Sequence, residues 1–573
     1  MRLEAGTADT VSAGAVLDRP WTNEAAPKPG RERVTWGLER VLSVGWIAPA
    51  AIFGIAAVVR LLEVSRFGFN SDEAVYAGQS AALAGHQDYA AMFGVFRAHP
   101  LLVHFIVSLV YRVTGVNDLA PRLVCVAAGL GMVLVAGAIA AVVRGRRAQL
   151  ITMLIVALSP YPVIVSRQLL LDGPMAFFFA LCVLFLALYV RSPARAPLFA
   201  AAFAAGLAFL AKETALLMVP AIVVFFLLAR GVRMRILDAA GAGLVYALTI
   251  APFPLSLLLS GGSKTAQQFF IWQVFRRSNH DPGFYLTLIP TIGIPVVALA
   301  LVGLVLALRR RQPLDILLVS LTVVMAAFFQ AWPVKGFQYL LPVTVPIAIL
   351  AADGLVAATS LAAREAHRLS SVPRLRSMSG PSAAATTGLA LVLACSIVMG
   401  AGLKSVIASG APAILATDSG DGEVGPQPGK AAPAYAFVAG TGGLEASRPV
   451  GAWVRDHTLP SSNFLTVGAS FANVIQFYGG RRARALSVSP NPLHRNPTYE
   501  PVINADLMIR TNAIQYLVYD SYSAARTPFF TQRLLHYMKK YNGILIYADY
   551  QPARRPNGKT AKVPVVLIYE VHP

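Results

Sequence analysis

Apolar runs dominate the chain, and they limit its fold more than any other feature. A helix that crosses a bilayer needs about 20 apolar residues, and somewhat fewer where the bilayer thins. Backbone groups left unpaired in hydrocarbon are costly, so such runs fold as helices. The sequence therefore predicts an α-helical polytopic membrane protein with about 11 transmembrane helices. The runs are 42–62, 120–143, 148–166, 172–190, 196–211, 213–229, 236–259, 285–308, 314–332, 338–360 and 385–409.

The overall composition supports a membrane protein and argues against two other classes. Apolar residues make up 56% of the chain and charged residues only 13%, which is typical of a polytopic membrane protein. A net charge of +21 would suit a nucleic-acid partner, but the basic residues form short clusters between apolar runs rather than one stripe with interleaved aromatics. The three cysteines all lie inside apolar runs, so they indicate neither a disulfide framework nor a metal site.

Arginine clusters at alternate connections predict the orientation of the helices. Cytoplasmic loops carry an excess of Lys and Arg. The chain is therefore expected to be a multi-pass plasma-membrane protein with its N-terminus in the cytoplasm and its C-terminus outside the cytoplasm. Residues 101–111 are apolar but short, and His104 interrupts them. A crossing there would place every later cluster on the wrong side, so a re-entrant or interfacial helix is expected. The clusters are Arg144, Arg146 and Arg147; Arg191 and Arg195; Arg230, Arg233 and Arg235; Arg309 to Arg311; and Arg364, Arg368, Arg374 and Arg376.

Changes of composition along the chain predict its domains. Residues 1–40 are polar and rich in Pro, Gly and Ala, as in a disordered cytoplasmic tail. The transmembrane domain is expected at 41–409, with an external first loop at 63–119. Residues 410–443 form a Gly/Pro/Ala-rich linker. Beyond it, β-like runs alternate with helical patterns, which predicts an extracytoplasmic α/β domain at 444–573.

Two acidic residues follow the first apolar run, on the side predicted to be external. Asp72 and Glu73 lie about ten residues beyond it, and carboxylates so close to hydrocarbon commonly bind a cation or take a proton. A structural explanation also fits: Asn70 or Ser71 caps a helix, and the acids occupy a first turn that favours negative charge. The local sequence leaves both explanations open.

Other polar residues cluster at the same predicted ends of the helices. Each has a structural alternative: arginines can extend to lipid headgroups, Lys212 and Glu213 can pair with each other, and Asp172-Gly-Pro can simply start a helix. Together, however, they place acids and bases on one face of one bundle. Cations there could hold a phosphate and a carboxylate could take a proton, as for an anionic substrate delivered by the membrane. The residues are Tyr76, Arg97, His99, Arg122, Arg167, Asp172, Lys212, Glu213, Lys335, Gln338 and Tyr339.

The order of these motifs resembles the GT-C superfamily of membrane glycosyltransferases. Over residues 42–360 the chain is most similar to bacterial relatives of the dolichyl-phosphate-mannose protein mannosyltransferases and of the aminoarabinose lipid A transferase. The specific parts are the first-loop acidic motif and Arg167-x4-Asp172-Gly-Pro. The full order is Asp72-Glu-Ala-x-Tyr76, His99-Pro-Leu, Pro121-Arg-Leu, Arg167-x4-Asp172-Gly-Pro, Lys212-Glu-Thr and Gln338-Tyr-Leu-Leu-Pro.

The resemblance implies a polyprenyl-phosphate-sugar donor and transfer on the outer face to an acceptor protein, lipid or polysaccharide. Asp72 then matches the acid that binds or deprotonates the acceptor, with Glu73 as its substitute, and Asp172 matches a second acid. Lys212, Arg122 and Arg167 match residues at the donor phosphate. Many relatives have Arg-Tyr where this chain has Gln338-Tyr339, so Lys335 or Arg276 is expected to replace that contact. Tyr76, His99, Lys335, Gln338 and Tyr339 are expected to line the substrates.

The resemblance also implies a mechanism. An activated donor needs only a base, positive charge for the leaving phosphate and alignment, so a single displacement with inversion is expected. No cofactor is required, although a divalent metal bridging Asp72 and Asp172 is an alternative. A lipid-linked-sugar flippase or transporter, or a membrane-anchored binding protein, also fits the overall composition. A transporter, however, keeps polar residues near the bilayer midplane, whereas these motifs lie at the ends of the apolar runs.

Overall fold

A computed structural model describes residues 46–95, 99–232, 234–276, 278, 281–369, 413–414, 442–554 and 560–573. Residues 51–573 form one compact unit, and residues 46–50 belong to another. The predicted tail 1–40, nearly all of the predicted linker 410–443 and the predicted last crossing 385–409 lie outside the described residues.

Helices make up almost all of the described chain up to residue 369, which confirms the predicted helical polytopic class. They are α1 Ile47–Leu61, α2 Ser71–Ala84, α3 Gln87–Ala90, α4 Leu102–Thr114, α5 Leu119–Arg144, α6 Arg146–Leu158, α7 Pro160–Ser166, α8 Asp172–Arg191, α9 Arg195–Ala211, α10 Met218–Leu228, α11 Ile236–Ile250, α12 Pro252–Leu259, α13 Ser263–Val274, α14 Ile289–Ile292, α15 Ile294–Arg310, α16 Pro313–Ala331 and α17 Thr344–Leu369. Short 3-10 helices at Glu213–Leu217, Phe284–Leu288 and Phe337–Val343 precede α10, α14 and α17.

By length and apolar character, four helices of the described chain can each cross a membrane: α5, α8, α16 and Phe337–Leu361. The number rises to seven if three bent pairs each form one crossing. These pairs are α6 with α7, bent by 59°; α11 with α12, bent by 40°; and Phe284–Ile292 with α15, bent by 101°. Four shorter apolar helices remain, at α1, α4, α9 and Glu213–Leu228. The total of about 11 crossings stays a prediction.

The break between α6 and α7 is stabilised by an arginine from α1. Proline has no N–H to donate, so Pro160 leaves the carbonyl of Val156 without its helical partner. The fully buried Arg60 donates from Nη2 to Val156 O at 2.9 Å and from Nη1 to Ala157 O at 3.1 Å. Its Nε donates to Ser166 Oγ at 3.1 Å. Arg60 therefore fixes the bent helix against α1, just before the chain reaches Asp172.

Helix α4 contains the segment for which the sequence predicts a re-entrant or interfacial helix. It has 13 residues, which at 1.5 Å per residue gives a length of about 20 Å, against roughly 30 Å of hydrocarbon. His104 and Tyr111 lie on its buried face, while Phe105 and Leu109 are exposed. The length fits the predicted location, and whether the helix crosses the membrane stays a prediction.

Residues 442–573 contain a sheet with helices on both faces, as the alternating patterns predicted. The strands of the described residues are β1 Ala413–Ile414, β2 Asn463–Thr466, β3 Arg482–Ala485, β4 Tyr516–Asp520, β5 Ile544–Arg554 and β6 Thr560–Glu570, in the order β1-β5-β6-β4-β2-β3. Strand β2 runs parallel to β3 and β4, while β6 runs antiparallel to β4 and β5. The helices are α18 Ser447–His457, α19 Ala469–Val474, α20 Ala505–Arg510, α21 Ser521–Arg526 and α22 Pro528–Lys540, with a π-helix at Ile475–Gly479.

Neighbouring residues of each strand of this sheet enter two different cores. Successive side chains of a strand point to opposite faces. Phe464 packs with Val518 and Ile568 in one core. Leu465, the next residue of β2, packs with Leu517, Leu567 and the α22 residue Leu534 in the other.

The sheet region packs against the first loop, at residues 63–119. Tyr478 Oη donates to Asp118 at 2.7 Å and accepts from the backbone N–H of Phe69 at 2.7 Å. Ser447 Oγ donates to Phe69 O at 2.8 Å, and Arg448 pairs with Asp118 at 2.5 Å. Burial raises the pKa of Tyr478, and the charge of Asp118 raises it further. The sheet region and the first loop therefore lie on the same side of the helical bundle.

Candidate active site

The N-terminus of α2 holds Asp72 and Glu73 in the first helical turn. Asn70 Oδ1 accepts hydrogen bonds from the backbone N–H groups of Asp72 and Glu73, at 3.0 and 3.1 Å. In return, Glu73 Oε2 accepts from the backbone N–H of Asn70 at 3.1 Å. This is a capping box, so the structural explanation for the acidic pair holds, with Asn70 as the cap. The cap uses only the backbone of Asp72.

Glu73 is fully buried, and its carboxylate is saturated with donors. Oε1 accepts from Arg122 Nε at 2.7 Å and from the backbone N–H of Leu169 at 3.0 Å. Oε2 accepts from Arg122 Nη2 at 2.8 Å and from Asn70. A carboxylate offers about four lone-pair sites, and all of them are used here. Glu73 therefore joins α2, α5 and the segment before α8, and this arrangement leaves it no free lone pair for an acceptor proton.

Arg122 is equally occupied. Besides its two bonds to Glu73, its Nη1 donates to Val64 O at 3.1 Å and to Phe67 O at 2.7 Å, and its Nη2 donates to Gly68 O at 3.2 Å. Every one of its five N–H groups has an acceptor. The predicted contact of Arg122 with a donor phosphate would require these bonds to break.

The second acid forms a buried ion pair with Lys212. Lys212 Nζ donates to the two carboxylate oxygens of Asp172, at 2.8 and 2.7 Å. Asp172 begins α8 and Lys212 directly follows α9, so the pair joins the ends of two neighbouring helices. The ammonium also lies 5.0 Å from the ring centroid of Tyr339. An ammonium has three N–H donors, so the third can bond a ligand while the pair stays intact.

Glu213 has a different partner from the one that its neighbour Lys212 suggests. The structural alternative in which Lys212 and Glu213 pair with each other is wrong. Glu213 lies 2.8 Å from His99 Nδ1, because the chain turns between Lys212 and the next helix and sends the two side chains apart. The two residues of one motif thus join two different parts of the bundle.

Tyr76 lies near these groups. Burial raises the pKa of its hydroxyl well above the usual value, and the charges of Asp72, Asp172 and Glu213 raise it further. Its ring meets His99 edge-on, with the ring centroids 6.1 Å apart. The charges of both predicted catalytic aspartates therefore reach the hydroxyl of Tyr76.

The remaining predicted residues lie around this group or at helix ends. Lys335 Nζ donates to the carbonyls of Phe329 at 2.9 Å and Trp332 at 2.7 Å, and so caps the end of α16. Arg167 donates to the carbonyl of Leu62, at the end of α1. Two predicted basic residues therefore bond helix termini.

Arg276 and Gln338 are positioned differently. Arg276 Nη1 donates to Gln273 at 3.2 Å, and its guanidinium lies 4.6 Å from the ring centroid of Trp272. It is partly exposed. Gln338 is buried, and its Oε1 has no hydrogen-bond partner among the described residues. Gln338 therefore has an unused acceptor where many relatives carry an arginine.

The two aspartates do not make a good metal site. No group of three or more His, Cys, Asp or Glu side chains in the described part of the chain is arranged to hold a metal ion. Both oxygens of Asp172 already accept from the Lys212 ammonium, and a divalent cation there would meet that positive charge. Mg²⁺ usually keeps several waters and is bound through one or two carboxylates plus substrate phosphates, so the number of protein ligands does not decide the question. The Lys212 ammonium on both oxygens of Asp172 disfavours a metal that bridges the two aspartates.

Sequence reasoning missed two contacts that shape this region. Asn70 Nδ2 donates to Gln168 Oε1 at 3.0 Å and so joins the α2 cap to the segment before α8. Phe269 packs edge-on against His99, with ring centroids 5.3 Å apart. The position of Gln168 inside the motif, between Arg167 and Asp172, was the only sequence feature that could have indicated its role. Nothing in the sequence around Phe269 points to the site.

Comparison with known proteins agrees with this architecture. Residues 98–257, which contain Arg122, Arg167, Asp172 and Lys212, match the model of the dolichyl-phosphate-mannose-protein mannosyltransferase family. No curated protein sequence matches the chain.

Solved structures extend the likeness to nearly the whole chain. ArnT from Cupriavidus metallidurans in the apo state is 16% identical, with a TM-score of 0.62 over 93% of this chain and 98% of ArnT. The same protein bound to undecaprenyl phosphate gives a TM-score of 0.62 at 16% identity, over 92% and 98%. AglB from Archaeoglobus fulgidus, in complex with an inhibitory peptide and a dolichol-phosphate, is 11% identical, with a TM-score of 0.54 over 92% of this chain and 74% of AglB. The chain thus has the fold of the GT-C glycosyltransferases, the superfamily that its sequence motifs resemble.

Proposed function

We propose that this protein transfers a sugar from a polyprenyl-phosphate-linked donor to an acceptor on the outer face of the cell membrane. The observation that carries the proposal is the convergence of Asp72 with the buried Asp172–Lys212 pair around Tyr76. The fold supports the proposal, since ArnT has been solved with undecaprenyl phosphate and AglB with a dolichol-phosphate. The sugar is a hexose or a pentose, and the acceptor is a protein, lipid or polysaccharide.

In this proposal Lys212 stabilises the leaving phosphate. As the bond between the anomeric carbon and the phosphate oxygen breaks, negative charge develops on the lipid phosphate. The third N–H of Lys212 donates to that phosphate, while Asp172 holds the ammonium in position through two bonds. A fixed donor in a site that excludes water stabilises such charge more strongly than water does.

Asp72 acts as the base that deprotonates the acceptor. It is partly exposed in the first turn of α2 and is held there through its backbone, so its carboxylate is positioned without being consumed by the cap. It takes the proton of the acceptor hydroxyl as that oxygen attacks the anomeric carbon from the face opposite the phosphate. One displacement then inverts the anomeric centre and leaves polyprenyl phosphate and a proton on Asp72. No metal takes part in these steps.

The positions of the charged groups support transfer over the alternative of lipid-sugar transport. Asp72, Asp172 and Lys212 all lie at helix ends, whereas a carrier needs polar groups near the midplane with access from both faces. Most of the predicted basic residues also bond helix termini or Glu73 rather than forming a path across the bundle.

The direct test is reconstitution of the full chain in liposomes. A set of radiolabelled polyprenyl-phosphate hexoses and pentoses is added together with an envelope extract as the source of acceptor. Release of polyprenyl phosphate and the appearance of label in a new glycoside, in the protein, polysaccharide or lipid fraction, are then measured. Transfer of one sugar by wild type, lost in Asp72→Asn and kept in Asp88→Asn, supports the proposal. Movement of the labelled lipid between leaflets with no new glycoside would establish transport instead.

A further inference from the structure

The sheet region contacts the short segment that leads to the proposed base. Residues 62–70 connect α1 to α2, and Asp72 follows in the first turn of α2. Arg448 Nη2 donates to the carbonyls of Ser65 at 2.6 Å and of Phe67 at 3.2 Å. The sheet region therefore bonds the backbone of this segment before α2 begins.

Two glycines let the backbones of the two regions approach closely. The backbone N–H of Leu444 donates to Gly68 O at 3.0 Å. A Cβ at Gly443 would lie 2.2 Å from Gly68 O, and a Cβ at Gly68 would lie 2.8 Å from the Cβ of Ser447. A side chain at either position would therefore force the two regions apart, so the close contact depends on glycine in both of them.

The sheet region bonds both backbone groups of Phe69, a fully buried residue. The N–H of Phe69 donates to Tyr478 Oη at 2.7 Å, and its carbonyl accepts from Ser447 Oγ at 2.8 Å. The next residue, Asn70, is the cap of α2, and its Nδ2 donates to Gly442 O at 2.8 Å. The sheet region therefore holds the cap that in turn holds the backbone of the proposed base.

Among these contacts, the hydroxyl of Tyr478 connects two helices of the candidate site. It accepts from Phe69, just before α2, and donates at 2.7 Å to Asp118, which directly precedes α5. Helix α5 carries Arg122, which bonds Glu73 in the first turn of α2. One hydroxyl of the sheet region therefore fixes the N-terminal ends of α2 and α5 relative to each other.

We infer that Tyr478 is a positioning residue for Asp72: through its hydroxyl the sheet region fixes the N-terminus of α2 and so sets where the Asp72 carboxylate meets the acceptor. The catalytic part of this inference rests on the proposed function. A misplacement of about 1 Å can cost about 10²-fold in rate. The Asp172–Lys212 pair, by contrast, joins α8 and α9 within the bundle, so donor binding should not depend on Tyr478.

The experiment uses Tyr478→Phe in the full chain, which keeps the ring and removes both hydrogen bonds of the hydroxyl. With the polyprenyl-phosphate sugar that wild type transfers, kcat is expected to fall about tenfold, while KM for this donor stays at the wild-type value. Hydrogen–deuterium exchange in peptides that cover residues 67–76 is expected to become about fivefold faster, because loss of a hydrogen bond favours local opening. Tyr541→Phe is the matched control, since Tyr541 Oη donates to Asp506 at 2.7 Å in the other core of the sheet region. It should change none of these quantities.

The outcomes separate this inference from the proposed function. Faster exchange at residues 67–76 with a lower kcat and an unchanged donor KM supports the positioning role. Unchanged exchange, a wild-type kcat, or equal losses in Tyr541→Phe would overturn it. If Tyr478→Phe does not fold, Ser447→Ala, which removes the bond to the carbonyl of Phe69, is measured in the same way. If wild type transfers no sugar, the proposed function fails, and the exchange rates alone then decide whether the sheet region fixes the N-terminus of α2.

Discussion

Lys212 donates to both carboxylate oxygens of Asp172, at 2.8 and 2.7 Å, although the two residues are 40 positions apart in the chain. Both side chains are buried. Their pairing explains how a lysine can stay charged at the end of an apolar helix, and it makes the two residues one functional unit.

The Lys212–Asp172 pair can be dissected with a double-mutant cycle. Lys212→Met leaves a buried carboxylate unpaired, which typically destabilises a protein by about 3–5 kcal/mol. Adding Asp172→Asn removes that charge and should restore much of the thermal stability. Turnover should not recover, because loss of one donor to developing negative charge costs about 10²–10³-fold.

Glu213→Gln provides the comparison for this cycle. Glu213 pairs with His99 and not with Lys212, so its substitution should reduce donor turnover much less than Lys212→Met. A double mutant at Lys212 and Asp172 that regains both stability and wild-type turnover would show that the pair is only structural. Thermal melts and kcat/KM for the donor are the measurements.

Asp72→Asn should abolish transfer while leaving stability near wild type. The cap at Asn70 bonds the backbone of residue 72, and asparagine preserves the size of the side chain. Loss of a general base typically costs about 10²–10⁴-fold in rate. Asp88→Asn, at an exposed acid in the first turn of α3, should change neither quantity. Turnover above about a tenth of wild type in Asp72→Asn would rule out the role of Asp72 as base.

Glu73→Gln should lower the thermal stability of the protein. It keeps the shape of the side chain but removes the negative charge that Arg122 contacts at 2.7 and 2.8 Å in the interior. Breaking a buried pair in this way costs about 3–5 kcal/mol. Glu63→Gln, at a half-exposed pair with Arg66, should cost under about 1 kcal/mol. Equal melting temperatures for the two variants would contradict the structural role of Glu73.

Residues 442–573 are predicted to lie outside the cytoplasm. A cysteine at the exposed Ser461 should react with an impermeant maleimide in intact cells, in a background with Cys395→Ser; the native Cys125 and Cys182 are buried. A cysteine at the exposed Ser192, near the predicted cytoplasmic cluster of Arg191 and Arg195, should react only after lysis. The reverse pattern at the two positions would invert the orientation and place the candidate site on the inner face.

Chelation should leave transfer unchanged. Asp172 already neutralises the Lys212 ammonium with both oxygens, so the site gains nothing from a second cation. Activity after dialysis against EDTA should equal the untreated value within error. If EDTA removes the activity and added Mg²⁺ or Mn²⁺ restores it, a metal takes part in transfer. Asp72 would then be the candidate ligand.

Much of the architecture follows from the sequence, because its physical cause is local. A backbone in hydrocarbon must bond to itself, so long apolar runs could be read as helices. Alternating short β-like runs and helical patterns could likewise be read as an α/β region at 444–573. The cap at Asn70 was also visible as one of two explanations, since a capping box spans only four residues. The order of the motifs also resembles the superfamily whose fold the chain has.

Only the tertiary structure decided which charges pair. Glu73 bonds Arg122, Asp172 bonds Lys212, and Glu213 bonds His99, across separations of 49, 40 and 114 residues. Adjacency in the sequence made Lys212 and Glu213 candidate partners, yet Lys212 pairs with Asp172 and Glu213 pairs with His99. A burial cost of several kcal/mol per ion forces each charge to find a partner, but the packing of distant helix ends determines which partner is within reach. That packing has no local periodicity, so no stretch of sequence encodes it by itself.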